Sequence, residues 1–277
     1  LNASFAQLQP RAGQLAFVAQ SGAILTSVLD WAAPRNIGFS LLASLGDMAD
    51  VDFGDMLDYL ANDADTRAIL LYIEGVTHAR KFMSAARAAA RTKPVIVVKA
   101  GRHAAAAKAA ASHTGALAGV DAVYDAAFRR AGMLRVLTLE ELFDAVETLA
   151  LARAPRGERL AILTNGGGVG VMATDALMDA GGTLATLSAE TLAKLDAVLP
   201  ATWSRANPID IIGDASAERY TAALQAVLGA PEVDALLVLN CPTAVTSPDE
   251  AASAVLAALP SPNKHPLFTS WVGGVGA

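Results

Sequence analysis

The chain has 277 residues, 53% of them hydrophobic, with a formal net charge of −6 and a mean hydropathy of +0.39. That length exceeds one typical core and points to two domains. The hydropathy comes mostly from alanine: no apolar run approaches the roughly 18 residues of a spanning helix, and no signal-peptide pattern opens the chain. An acidic balance with 5% aromatics disfavours nucleic acid as a partner. The one cysteine, Cys241, cannot form an internal disulfide, which suits a reducing cytoplasm. It follows the strand-like ALLVLN and reads as small core filler.

In chain order, the strand candidates are LAFVA, FSLLASL, AILLYIE, PVIVVKA, LAILT, TLATL, ALLVLN and LFTSW. Amphipathic segments lie between them: Asp52 to Leu60, Ala79 to Ala90, Leu139 to Ala152, Val171 to Ala180 and Ala217 to Leu228. Apolar strands alternating with helices specify an α/β fold of open parallel sheets covered on both faces. Crossovers are then right-handed, and ligands gather beyond the carboxyl ends of the strands. The charged stretch RAPRGER, with Pro155 and Gly157, breaks a helix pattern and marks a domain boundary. The chain starts at Leu1 and ends VGGVGA, just after LFTSW with no covering helix behind it. It reads as part of a longer polypeptide, truncated at both ends.

The two halves share a grammar. Each opens with a strand, a glycine-containing turn and a helix: LAFVAQSGAILTSVLDWA, then LAILTNGGGVGVMATDALMDAGG. A helix start leaves amide N–H groups unpaired and carries partial positive charge, so it binds anions, phosphate above all. In the first turn Ser21 caps the helix or touches a phosphate oxygen, and Gly22 lets backbone come close. In the second, Asn165 and Gly166 to Gly168 offer bare backbone. Ordinary strand-to-helix turns look the same. GVGVMA also fits the G-x-G-x-x-A dinucleotide fingerprint, but the acidic ribose partner is not where that motif needs it, since TLATL ends at Ser188 and Glu190 already starts a helix.

Four histidines are present. His78, His103 and His265 read as solvated loop or cap residues. His113 lies in SHTGALAG, where small neighbours leave an imidazole reachable. No His, Cys and carboxylate grouping suggests a metal site, and no G-x-S-x-G elbow is present. His113 is then a nucleophile, an acid–base group or a structural residue. Glu74 ends the apolar run AILLYIE, where a carboxylate is costly unless paired. It could accept a hydrogen bond from one imidazole nitrogen and leave the other free to attack; pairing with an arginine or capping a turn are the alternatives.

Together, SHTGALAG, YIEGV, FVAQSGAILTSVLDWA, SLGDMADVDFGDMLDYL and KPVIVVKAGR resemble the nucleoside-diphosphate-forming acyl-CoA synthetases, ADP-forming acetyl-CoA synthetases more closely than succinyl-CoA synthetases. The resemblance implies two flavodoxin-like (Rossmann-like) domains, residues 14–153 with a phosphohistidine loop and residues 158–277. Residues 1–13 would be a linker from a CoA-binding domain. It implies an acid–thiol ligase that interconverts acyl-CoA, phosphate and ADP with carboxylic acid, CoA and ATP through an acyl phosphate and a phosphohistidine. His113 would be phosphorylated and Glu74 would orient its ring. The helix starts at Gln20, Ser21 and Gly22 and at Asn165, Gly166, Gly167 and Gly168 would hold the phosphate. Coenzyme A and ATP or ADP with Mg2+ would be bound by the whole protein. An ATP-grasp domain and the CoA-binding domain would be partners in the same or another chain. A small carboxylic acid substrate, a homo-oligomer and a cytoplasmic location are further expectations, with no membrane role. A regulatory region of a protein lysine acetyltransferase is the alternative.

Overall fold

Runs of Val, Ile, Leu and Ala form two parallel sheets in the computed structural model, which describes residues 6–103, 105–106, 120–151, 155–244, 246–260 and 266–273. The chain divides into two units, Leu1–Leu151 and Ala152–Ala277. Among the described residues no helix is long and apolar enough to cross a membrane.

The first unit has strands β1 (Ala12–Ala19), β2 (Phe39–Ser44), β3 (Ala68–Ile73), β4 (Val95–Lys99) and β5 (Leu134–Val136), all parallel, in the order β2-β1-β3-β4-β5. Its helices are α1 (Gly22–Ala32), α2 (Phe53–Asn62), α3 (Ala79–Thr92), α4 (Asp121–Ala131) and α5 (Leu139–Leu151). This is the flavodoxin-like strand order, and it reverses between β1 and β3. Alternation along the strands divides the core. Leu15, Phe17 and Ala19 pack with Leu25 and Val28 of α1 and with Leu142 and Val146 of α5. Ala16, Val18, Ile69 and Leu71 pack with Phe53, Phe82 and Phe128 of α2, α3 and α4. Each fully buried Leu or Phe contributes roughly 1.5–3 kcal/mol.

The second unit has β6 (Arg159–Thr164), β7 (Thr183–Leu184), β8 (Ile209–Asp210), β9 (Ala235–Asn240) and β10 (Leu267–Trp271). The order is β10-β9-β6-β7, with β8 also pairing β6, and every pair is parallel. Helices α6 (Gly167–Asp179), α7 (Ala189–Val198), α8 (Ala217–Val227) and α9 (Pro248–Ala258) complete it. The strand expected over TLATL stops at Leu184, and the helix expected from Val171 starts four residues earlier, at Gly167. The strand is short because β7 and β8 share one edge of β6, each along two residues only.

Asn207 fills the gap those short strands leave. Its Oδ1 accepts from Ile162 N at 2.9 Å, and its Nδ2 donates to Leu160 O at 2.8 Å and Ala185 O at 3.0 Å. One side chain thus does the work of a strand residue. Asn207→Ala removes the acceptor of Ile162 N and the side-chain donor to Ala185 O, while Leu160 O keeps its bond from Ala185 N, and the expected cost is about 2–3 kcal/mol in urea unfolding; a loss under about 1 kcal/mol would contradict this role.

Glu232 fastens the start of α7. Its Oε1 accepts from Ser188 N at 2.8 Å and from the Thr191 hydroxyl at 2.7 Å. Burial raises its pKa, but the Thr191 and Ser188 hydrogen bonds outweigh that and push it from 4.5 down to about 2. The folded value lies below the unfolded one, so its stabilisation is complete above the ordinary carboxylate range and is lost as pH falls toward 2. Glu232→Gln is expected to flatten the acid side of the stability-against-pH curve. An acid limb of unchanged steepness would count against the assignment.

Candidate functional site

The loops after β1 and β3 lie side by side at the carboxyl edge of the first sheet, at the point where its strand order reverses. Such switch points are where open α/β sheets bind ligands. Gln20 follows β1. It is 6% exposed, and its backbone N donates to Tyr72 O at 3.1 Å. Its Oε1 accepts from two consecutive amides across the switch point, Glu74 N at 2.6 Å and Gly75 N at 2.8 Å. The side-chain oxygen of Gln20 therefore serves the Glu74 turn, and any phosphate contact from this side chain would have to come from its amide end. The next amide, Val76 N, donates to the Tyr124 hydroxyl on α4 at 3.2 Å. Three successive backbone donors of one turn are thus held by two side chains from distant elements.

Ser21 is the N-cap of α1, and its Oγ accepts from Ile24 N at 3.3 Å. The amides of Gly22 and Ala23 are left by helix geometry without intrahelical acceptors. The first turn of α1 has no acidic residue, so its partial positive charge is not offset there.

Glu74 directly follows β3, and its Oε2 is shielded from solvent. Its charge, after burial, helps hold the Tyr72 phenol above its ordinary pKa. His113 lies outside the described residues. So the structure brings Gln20, Ser21, Gly22 and Glu74 to one sheet edge and describes nothing of His113.

Lys99 was not singled out from the sequence. It ends β4 at 2% exposure, on the apolar side of the strand shared with Val95 and Val97. Its Nζ donates to Ala100 O and lies 4.7 Å from the Tyr124 ring centroid. Burial pushes the ammonium pKa down, with Asp121 and Glu74 opposing that and Arg135 adding to it. An apolar strand whose last in-facing residue is lysine is the signal that could have found it. His78, read as a loop or cap residue, is the N-cap residue of α3; its Nδ1 lies 2.9 Å from Asp52 Oδ2. Asp52 in turn caps α2 through Gly54 N and Asp55 N.

The second unit repeats the first unit's device. Asn165, 4% exposed, follows β6 and reaches across to the end of β9: its Nδ2 donates to Cys241 O at 2.9 Å and its Oδ1 accepts from Cys241 N at 2.7 Å. Cys241 is partly exposed and packs against this turn, so the core-filler reading is corrected. Gly166 N is taken by Thr164 Oγ1 at 3.0 Å, which leaves the first amides of α6, from Gly167 and Gly168, as its free donors by helix geometry. A Cβ on Gly166 would lie 2.4 Å from Cys241 Sγ, and one on Gly167 2.6 Å from Asp210 Oδ2. Cys241 leaves no room for a side chain at Gly166, and a side chain at Gly167 would have to displace the Asp210 carboxylate. Asp210, missed in the sequence, sets a carboxylate beside the helix start, where it interacts favourably with the helix dipole and competes with any incoming anion. Gly168 has open space around it.

Gly166→Ala is accordingly expected to cost about 1–3 kcal/mol by overpacking, partly recovered in a Cys241→Ala background. Gly168→Ala is expected to leave the melting temperature unchanged or raise it. Equal tolerance at both positions would contradict the packing described.

Comparison with known proteins gives matching domains in matching order. Residues 12–149 match the succinyl-CoA ligase like flavodoxin domain, and residues 160–262 match the Ligase-CoA domain. The chain is 46% identical over 256 residues to acetate–CoA ligase [ADP-forming] I of Archaeoglobus fulgidus, covering 92% of this chain and 37% of that protein. It is 43% identical to the alpha subunit of acetate–CoA ligase [ADP-forming] I of Pyrococcus furiosus, covering 100% of this chain and 60% of the subunit. Among solved structures it is similar to acetyl-coenzyme A synthetase 1 of Ca. Korarchaeum cryptofilum in complex with phosphate and ADP, with a TM-score of 0.91 at 40% identity over 100% of this chain and 60% of that one. The chain therefore spans 60% or less of the length of these relatives. With both domains present in sequence order and identities of 40–46% across nearly its whole length, the chain belongs to the nucleoside-diphosphate-forming acyl-CoA synthetase family.

Proposed function

We propose that this chain supplies the phosphohistidine portion of an ADP-forming acyl-CoA synthetase. The observation that carries the proposal is the placement of Glu74 at the switch point of the first sheet, next to the start of α1, whose first turn has no acidic residue. Acyl-CoA and phosphate give an acyl phosphate and free CoA. His113 attacks the phosphorus of the acyl phosphate and releases the carboxylic acid, and ADP then takes the phosphoryl group from the ring to give ATP. The reverse direction starts from ATP.

Each residue has a chemical task in this reading. Glu74 accepts a hydrogen bond from the proton-bearing nitrogen of the His113 ring and leaves the other nitrogen bare for attack. The phosphorylated ring carries about two negative charges. Gly22 and the Ser21 cap present backbone donors to such an anion, and Gln20 offers its carboxamide N–H. Asn165, Gly166, Gly167 and Gly168 provide the equivalent helix start in the second unit, and each helix end stabilises an anion by about 0.3–2 kcal/mol depending on burial. CoA, the nucleotide and its Mg2+ would be held by CoA-binding and ATP-grasp domains in the remainder of the protein or a partner. The relatives named for acetate support a small carboxylic acid as substrate.

The test uses the full-length protein with radiolabelled ATP. An acid-labile, base-stable phosphate is expected, absent in His113→Ala and formed about 10–100-fold more slowly in Glu74→Gln. Label that persists in His113→Ala, or none in the unaltered protein, refutes the proposal.

A further inference from the structure

We infer that Gln20 and Tyr124 are positioning residues for Glu74: between them they take the three consecutive backbone donors, Glu74 N, Gly75 N and Val76 N, of the turn that carries it. The inference rests on the ring-orienting role proposed for Glu74. A turn after a strand ordinarily has amides that bond to water or drift, and a carboxylate on such a turn is poorly aimed. Here the amides have acceptors 54, 55 and 48 residues away in the chain, so the turn's backbone is fixed by tertiary structure. Gln20 does this from the β1–α1 turn. Its own backbone is anchored to Tyr72 O, two residues before Glu74, so Gln20 grips both sides of Ile73.

Tyr124 does it from α4, the helix that begins two residues after the SHTGALAG stretch. Its ring is held in turn by the buried Lys99 ammonium 4.7 Å from its centroid and by Phe128 at 5.9 Å. A cation over the ring face is attracted to the π-system and favours one plane for the ring. The β1–α1 turn, the Glu74 turn and α4 are therefore one hydrogen-bonded assembly. Such a support shell aims the ring-orienting carboxylate through its backbone.

The experiment is a double-mutant cycle in the full-length enzyme, reading the single-turnover rate of His113 phosphorylation from ATP together with KM for ATP. Gln20→Met keeps side-chain length and removes the acceptor; Tyr124→Phe removes only the hydroxyl and leaves the ring on Lys99. Loss of aim predicts a rate about 10–100-fold lower in Gln20→Met, and a smaller loss in Tyr124→Phe, with KM unchanged. In a Glu74→Gln background Tyr124→Phe is expected to have little further effect, because it acts through Glu74, and Gln20→Met is expected to lose much less than it does alone, the remainder being its carboxamide N–H to the phosphoryl group. Full rates in Gln20→Met and Tyr124→Phe alongside a slow Glu74→Gln overturn this inference alone. Losses that simply add to that of Glu74→Gln also overturn it. An unimpaired Glu74→Gln overturns the role of Glu74 itself. If Gln20→Met does not fold, the Tyr124→Phe cycle decides the same question.

Discussion

A side-chain carboxamide bridging two parallel strand ends is the interaction on which the rest of this chain depends. A parallel sheet that reverses its strand order opens a crevice between two neighbouring strands, and nothing in the ladder closes it. In the first unit Gln20 spans that crevice and bonds the backbone after β3. In the second unit Asn165 spans from β6 to the backbone after β9. Both residues are almost fully buried, and both come immediately before the N-cap of the helix that follows the first strand of their unit. The carboxamide suits the task because it offers both a donor and an acceptor on a short planar group. The longer Gln captures two amides with one oxygen, whereas the shorter Asn pairs a donor and an acceptor with a single residue.

The two helix starts beside these bridges differ electrostatically. α1 has a serine cap and no acidic residue in its first turn. α6 has a glycine cap, a cysteine against Gly166 and the Asp210 carboxylate against Gly167. Equal glycine content in the two turns therefore does not mean equal anion affinity. The start of α6 is shaped by packing, and the carboxylate beside Gly167 has no counterpart within the first turn of α1.

Much of this was legible in the sequence. Apolar strands alternating with amphipathic helices gave parallel sheets, and the break at RAPRGER fell between α5 and β6. Glu74 was readable because a carboxylate at the end of AILLYI violates the pattern of its strand. The short strands β5, β7 and β8 were misread or missed because two or three residues carry no period, and their edge is completed by a side chain, Asn207, that no periodicity reveals. The start of α9 had a readable sign that went unused: Ser247, Pro248 and Glu250 form a capping box with proline at its first position. The backbone bonds of Gln20 and Asn165 were not legible, because a carboxamide bond to backbone some fifty or more residues away leaves no local trace. Lys99 was hidden for a related reason: a lysine at a strand end is ordinary until the fold buries it under Tyr124.

The central claim is that a rigidly held Glu74 selects the form of the His113 ring that attacks phosphorus. Nitrogen-15 chemical shifts of the His113 imidazole in the full-length protein, with and without Glu74→Gln, test it most directly. The account predicts a single neutral tautomer in the unaltered protein, one nitrogen protonated toward the carboxylate and the other bare, and a mixture of tautomers once the carboxylate is replaced. Two ring nitrogens that share the proton equally in both proteins would contradict it.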